Sequence, residues 1–137
     1  MTTIAAMPTA HRVALLSRND RLFHVILAQQ FDRPVIHSLC RLAEMVRAIA
    51  ETRGGANFLR TLLSHKRAML YFTQPSTRTF MSFQSACHIL GANASEIRDS
   101  STSSEVKGES IEDSLRTFAS YVDLIIMRSP VAGLADR

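Results

Sequence analysis

Lys66-Arg-Ala-Met-Leu-Tyr-Phe72, then Thr73-Gln-Pro75, then Ser76-Thr-Arg-Thr79: this stretch decides the fold. An apolar run of strand length meets a turn carrying proline, and the chain restarts on residues that open helices. From Thr77 to Leu90 the period becomes helical, with Phe80, Phe83, Ala86, Cys87 and Leu90 on one face and Gly91 at the end. The residues predict a buried strand over 66–72 that passes directly into a helix over 77–90.

Downstream the alternation continues. A weaker strand is expected over 92–97, and the Ser/Thr-rich segment 99–104 reads as loop. Ser110 with Asp113 resembles a capping box ahead of a helix carrying Ile111, Leu115, Phe118 and Val122. Asp123-Leu-Ile-Ile-Met127 is the third strand, ending at Arg128-Ser-Pro130. Strand, helix, strand, helix, strand over some sixty residues predicts an α/β fold, a parallel sheet with helices on both faces. Ligands of such sheets bind beyond the carboxyl ends of the strands. The segments at 74–79, 99–107 and Arg128 all emerge there.

Upstream, Asp32 caps a predicted helix with Pro34 in its first turn and Val35, Leu39, Leu42, Val46 and Ile49 at helical spacing. Gly54 and Gly55 are expected to stop it, ahead of a short apolar stretch over 58–63. Residues 1–30 are mixed and read as a tail with a lead-in segment, leaving 31–137 as the main domain.

Composition narrows the function. A chain of 137 residues is one domain by length, yet small for an enzyme that grips two substrates. No apolar stretch approaches bilayer length, which excludes a membrane span. The net charge of +4 comes from basic residues scattered between Arg12 and Arg137 rather than gathered in a stripe, so nucleic acid is not indicated and small anionic substrates fit as well. Lys66 and Lys107 are the only lysines. Cys40 and Cys87 lack metal or redox spacing and read as buried free thiols, and residues 1–11 lack a secretory pattern; both readings suit the cytoplasm. The five histidines form no convergent pattern, and Gly91 and Gly108 stand alone, so neither a metal site, a nucleophilic triad nor a nucleotide loop is expected.

Three places at the sheet edge carry candidate chemistry. Ser76, Thr77, Arg78 and Thr79 open a helix, where free amides, hydroxyls and a guanidinium suit a phosphate. Local physics alone leaves ordinary helix capping equally open there. Lys107, with Ser103 and Ser104 before it, sits in a loop able to close on an anion, although a lone loop lysine is usually only solvated. Arg128 follows an apolar strand at its carboxyl end.

Taken together, these three places resemble the aspartate and ornithine carbamoyltransferase family. Phe72-Thr-Gln-Pro-Ser-Thr-Arg-Thr79 with Ser82-Phe83 is similar to its carbamoyl-phosphate signature, Lys107-Gly108-Glu109 to its mobile loop, and Ile125-Ile-Met-Arg128 to its third phosphate-side contact, in matching order from about 66 to 137. The resemblance implies that Ser76, Thr77, Arg78 and Thr79 hold carbamoyl phosphate, and that Thr79 and Arg128 reach the carbamoyl oxygen. It implies that Lys107, with Ser103 or Ser104, comes from the adjacent subunit of a homotrimer. The implied reaction is attack of an amine on the carbamoyl carbon, with neither cofactor nor metal. Arg128-Ser129-Pro130 points by resemblance to the aspartate branch; ornithine transfer and a non-catalytic structural or regulatory homologue are the alternatives. The sequence departs from the pattern at Phe80, where a second arginine is common, and at Gln74. It ends at Arg137, ahead of the family's His-Pro-x-Gln segment and its L-aspartate-binding domain. A partial carbamoyl-phosphate-binding domain is therefore expected, short of catalysis by itself.

Overall fold

The computed structural model describes residues 6–19, 21–98 and 110–136. Its backbone forms two compact units, residues 1–46 with 131–137, and residues 47–130.

The first unit contains more regular structure than its mixed sequence suggests. Helix α1 (Thr9–Leu15) leads into an antiparallel pair of two-residue strands, β1 (Ser17–Arg18) and β2 (Arg21–Leu22), with Asn19 at a φ of 51°. Buried Gln30 then organises the following loop: its Oε1 accepts from the Ile26 and Leu27 amides at 2.9 Å each, and its Nε2 donates to the His24 carbonyl at 2.7 Å. A buried side-chain amide with its groups satisfied in this way substitutes for a backbone ladder.

Helix α2 (Arg33–Ala50) begins where expected, with the Asp32 carboxylate accepting from the Val35 amide at 2.8 Å. Its apolar row of Ile36, Leu39, Leu42 and Met45 is exposed, and Cys40 is exposed as well. The expected burial of Cys40 is thus corrected: its place in the helix turns the thiol outward. Gly54 and Gly55 do not end structure; they lie in the first turn of α3 (Arg53–Leu62), because the Thr52 hydroxyl caps the Gly55 amide at 3.0 Å. A Cβ on Gly55 would overlap the Ile49 carbonyl, so glycine permits the tight corner between α2 and α3.

The second unit is built around β3 (Arg67–Phe72), whose residues Ala68 to Phe72 are all buried. It runs into α4 (Thr77–Leu90), then β4 (Asn93–Ile97), α5 (Ile111–Tyr121) and β5 (Leu124–Arg128). The three strands form a parallel sheet in the order β4-β3-β5. Side chains alternate across it. Leu70 and Phe72 pack with Phe80 of α4 and with Ile126, whereas Tyr71 faces Phe118 of α5 with ring centroids 6.0 Å apart. Helices therefore cover both faces, as the sequence predicts. Ser110 caps α5 by accepting from the Asp113 amide at 3.1 Å. Gly91 ends α4 at a φ of 80°, and the Leu63 amide donates to the Leu90 carbonyl at 2.9 Å.

At the amino edge of the sheet Asp123 accepts from the Arg67 amide at 2.9 Å and from Lys66 Nζ at 3.2 Å. The amide, then the ammonium, hold its carboxyl below its ordinary value. A depressed carboxyl stabilises fully above the ordinary aspartate range and loses that contribution as the pH falls through the folded value. Asp123→Ala is expected to melt below the parent chain at neutral pH. In thermal scans the gap should narrow in acid; a gap independent of pH would contradict the ionic part of this link.

Candidate functional site

All three strands of the sheet are parallel, so their carboxyl ends share one edge. The central strand ends in the turn Thr73-Gln-Pro75, and Ser76 begins α4. Ser76 sits at an extended φ of −164° and its carbonyl accepts the Phe80 amide at 3.0 Å. Among the described residues no side-chain cap bond closes the start of α4; the Ser76 hydroxyl instead donates to Thr79 Oγ1 at 2.9 Å. The contrast with α3 and α5 matters, since their first-turn amides are satisfied by Thr52 and Ser110. At α4 the positive end of the helix and two linked hydroxyls are left for an external acceptor.

A cavity of about 310 Å³ opens beside this turn, lined by Phe72, Gln74, Pro75, Ser76, Thr77, Phe80 and Arg98. None of those residues is acidic. Its volume suits a small oxyanion, and its charge comes from Arg98 and the helix dipole.

Arg128 is the last residue of β5 rather than the first beyond it, because the strand runs one residue further than its apolar run. It is in register with Phe72, and its carbonyl accepts from the Thr73 amide at 3.0 Å and the Gln74 amide at 3.3 Å. Those bonds tie β5 to the turn that opens α4. Ile126, two residues earlier, packs against the Leu70–Phe72–Phe80 cluster, so alternation puts Arg128 on the α4 side of the sheet. Its Nε is buried without a hydrogen-bond partner among the described residues. A buried guanidinium nitrogen in that state suits an incoming anionic or carbonyl oxygen.

The structure thus brings Ser76, Thr77, Thr79 and Arg128 to one edge. Arg78 lies exposed in the first turn of α4, and Arg78, Thr79 and Arg128 all stand outside the cavity lining, which Ser76 and Thr77 share with Arg98. Lys107, Ser103 and Ser104 lie outside the described residues. Sequence reading passed over Arg98, which follows a weak strand and precedes a segment that reads as loop. Only the strand register marks it: Ile97 pairs with Tyr71, so Arg98 stands level with Phe72 on the strand that flanks β3 across from β5 and Arg128.

Residues 24–136 match the family model for the aspartate/ornithine carbamoyltransferase carbamoyl-phosphate-binding domain. The chain is 40% identical over 118 residues to an aspartate carbamoyltransferase catalytic subunit of Thermoplasma volcanium, covering 86% of this chain and 33% of that protein. It is 37% identical over 118 residues to a chloroplastic aspartate carbamoyltransferase of Pisum sativum, covering 85% of this chain and 30% of that one. Among solved structures it resembles the Trypanosoma cruzi aspartate transcarbamoylase in complex with carbamoyl phosphate and aspartate, with a TM-score of 0.71 and 32% identity over 80% of this chain and 32% of that one. The chain spans about a third of the length of these relatives.

Proposed function

The chain belongs to the aspartate/ornithine carbamoyltransferase family, and we propose that it supplies the carbamoyl-phosphate half-site for transfer of a carbamoyl group to the amine of L-aspartate, a step of pyrimidine biosynthesis. The observation that carries this reading is the start of α4: uncapped amides, the Ser76–Thr79 hydroxyl pair and the Arg128 carbonyl clasp meet at one sheet edge.

In the proposed reaction the phosphate sits on the amides of residues 77–79, with the Ser76 and Thr77 hydroxyls and the Arg78 guanidinium around it. Thr79 and Arg128 reach the carbamoyl oxygen. The neutral amine of aspartate attacks the carbamoyl carbon, negative charge grows on that oxygen, and Arg128 stabilises it as the bond to phosphate breaks. The amine gives up a proton, and phosphate departs with the electron pair of the broken bond. Positioning and electrostatics supply the acceleration, which fits a site of hydroxyls and guanidinium groups.

On this reading residues 31–137 form the carbamoyl-phosphate-binding domain and residues 1–30 lead into it. The working assembly is a homotrimer in which Lys107, with Ser103 or Ser104, completes the neighbouring subunit's site. The cytoplasm is the proposed setting, supported by the free thiols of Cys40 and Cys87. No helix among the described residues is long and apolar enough to cross a membrane.

Calorimetric titration of the 137-residue chain with carbamoyl phosphate tests the half-site. The parent chain is expected to bind, and Arg78→Ala to weaken binding by roughly tenfold or more, the usual worth of a charge-assisted contact. Binding that ignores Arg78→Ala would refute the assignment.

A further inference from the structure

We propose that Arg98 is a further cationic binding residue of this site beside Arg78 and Arg128, reaching the phosphate from the β4 side of the central strand, across from Arg128 on β5. This inference rests on the half-site reading above and extends it to a residue that reading leaves out.

Three features of Arg98 support it. It lines the same cavity as Ser76 and Thr77, so its side chain and the start of α4 border one small space. Its guanidinium carbon lies over the Phe80 ring, 4.5 Å from the centroid, and that ring is only 3% exposed. A cation on an aromatic face is held in place without using its N–H donors, which lie in the guanidinium plane and stay available to an oxyanion. Among the described residues no carboxylate forms an ion pair with Arg98; the nearby carboxylate of Glu96 accepts from Gln84 Nε2 at 3.2 Å.

The register adds a geometric argument. Arg98 is one residue beyond Ile97, the partner of Tyr71, and Arg128 is the partner of Phe72. The two arginines therefore flank the end of the central strand at one level, one on each neighbouring strand. With strands about 4.8 Å apart their backbones stand roughly 10 Å from each other, a span that two arginine side chains close around one phosphate-sized ligand. Phe80 is the platform that fixes the first of them.

The test titrates inorganic phosphate and carbamoyl phosphate into the 137-residue chain at low and moderate salt, for the parent, Arg98→Gln, Arg98→Lys and Ser76→Ala. Arg98→Gln is expected to weaken both ligands by about tenfold and to flatten the salt dependence of the parent. Arg98→Lys keeps the charge but loses the planar fork, and should weaken them by about threefold. If Arg98 only covered the Phe80 ring, Arg98→Gln would lower the melting temperature while leaving affinity and its salt dependence as in the parent, and that result overturns the proposal. Should Arg98→Gln fail to fold, Arg98→Lys decides: unchanged affinity overturns the proposal and the threefold loss supports it. Ser76→Ala separates the two readings. Loss of binding in Ser76→Ala beside parent-like binding in Arg98→Gln removes Arg98 and leaves the half-site standing, whereas a parent chain that binds neither ligand removes both.

Discussion

Gly91→Ala is expected to destabilise the chain by about 3 kcal/mol or more, a large share of the 5–15 kcal/mol that holds a typical domain folded. Two penalties combine at this position. Gly91 ends α4 at a φ of 80°, in the left-handed region where a side chain strains the backbone. In addition, a Cβ there would overlap the carbonyl oxygen of Arg60, which belongs to the last turn of α3. Backbone cannot rotate out of the way as a side chain does. The end of α3 has to move, and with it the bond from the Leu63 amide to the Leu90 carbonyl. Urea denaturation followed by circular dichroism measures the loss. Gly54→Ala is the control: nothing lies within 4 Å of a Cβ at Gly54, so alanine there should be neutral or add up to about 1 kcal/mol through helix propensity. Equal midpoints for Gly91→Ala and Gly54→Ala would refute the close approach of α3 to α4.

Phe72→Ala should cost about 3–5 kcal/mol, the usual range for emptying a buried aromatic site. Phe72 is 3% exposed and makes edge-on contacts with Phe80 and Phe83, at centroid distances of 5.4 and 6.5 Å. Its position magnifies the effect on function. The ring supports Phe80, Phe80 supports the Arg98 guanidinium, and the Phe72 backbone is in register with Arg128. Carbamoyl phosphate binding is expected to fall with stability in Phe72→Ala. Leu70→Ala is as deeply buried but lies two residues back from the edge, so it should lower stability with a smaller loss of affinity where the protein remains folded. A Phe72→Ala protein that binds the ligand like the parent would show that the site does not depend on this packing.

From β3 onward the second unit was legible in sequence because its strands and helices carry local signals near their ends. The α4 helix has Pro75 and Ser76 before it and Gly91 after it, and its expected span of 77–90 is the span it adopts. The parallel order followed from strand–helix alternation, and Arg128 was found because it interrupts an apolar run. What was missed depends on contacts between residues that no local pattern joins. Gly54 and Gly55 resemble a helix stop until the Thr52 cap and the corner against Ile49 are seen. The β1 and β2 strands are two residues each, below the length at which alternation has any meaning, and the loop after them is held by Gln30. Arg98 needed the strand register, since its importance comes from standing level with Phe72.

Both amide protons of the Thr73-Gln74 dipeptide end on a single oxygen, that of the Arg128 carbonyl. The entrance to α4 is consequently held as a shelf by the neighbouring strand rather than left as a free flap. A turn tied down in this way leaves less disorder for a ligand to remove, and slow solvent exchange of those two protons is its expected signature.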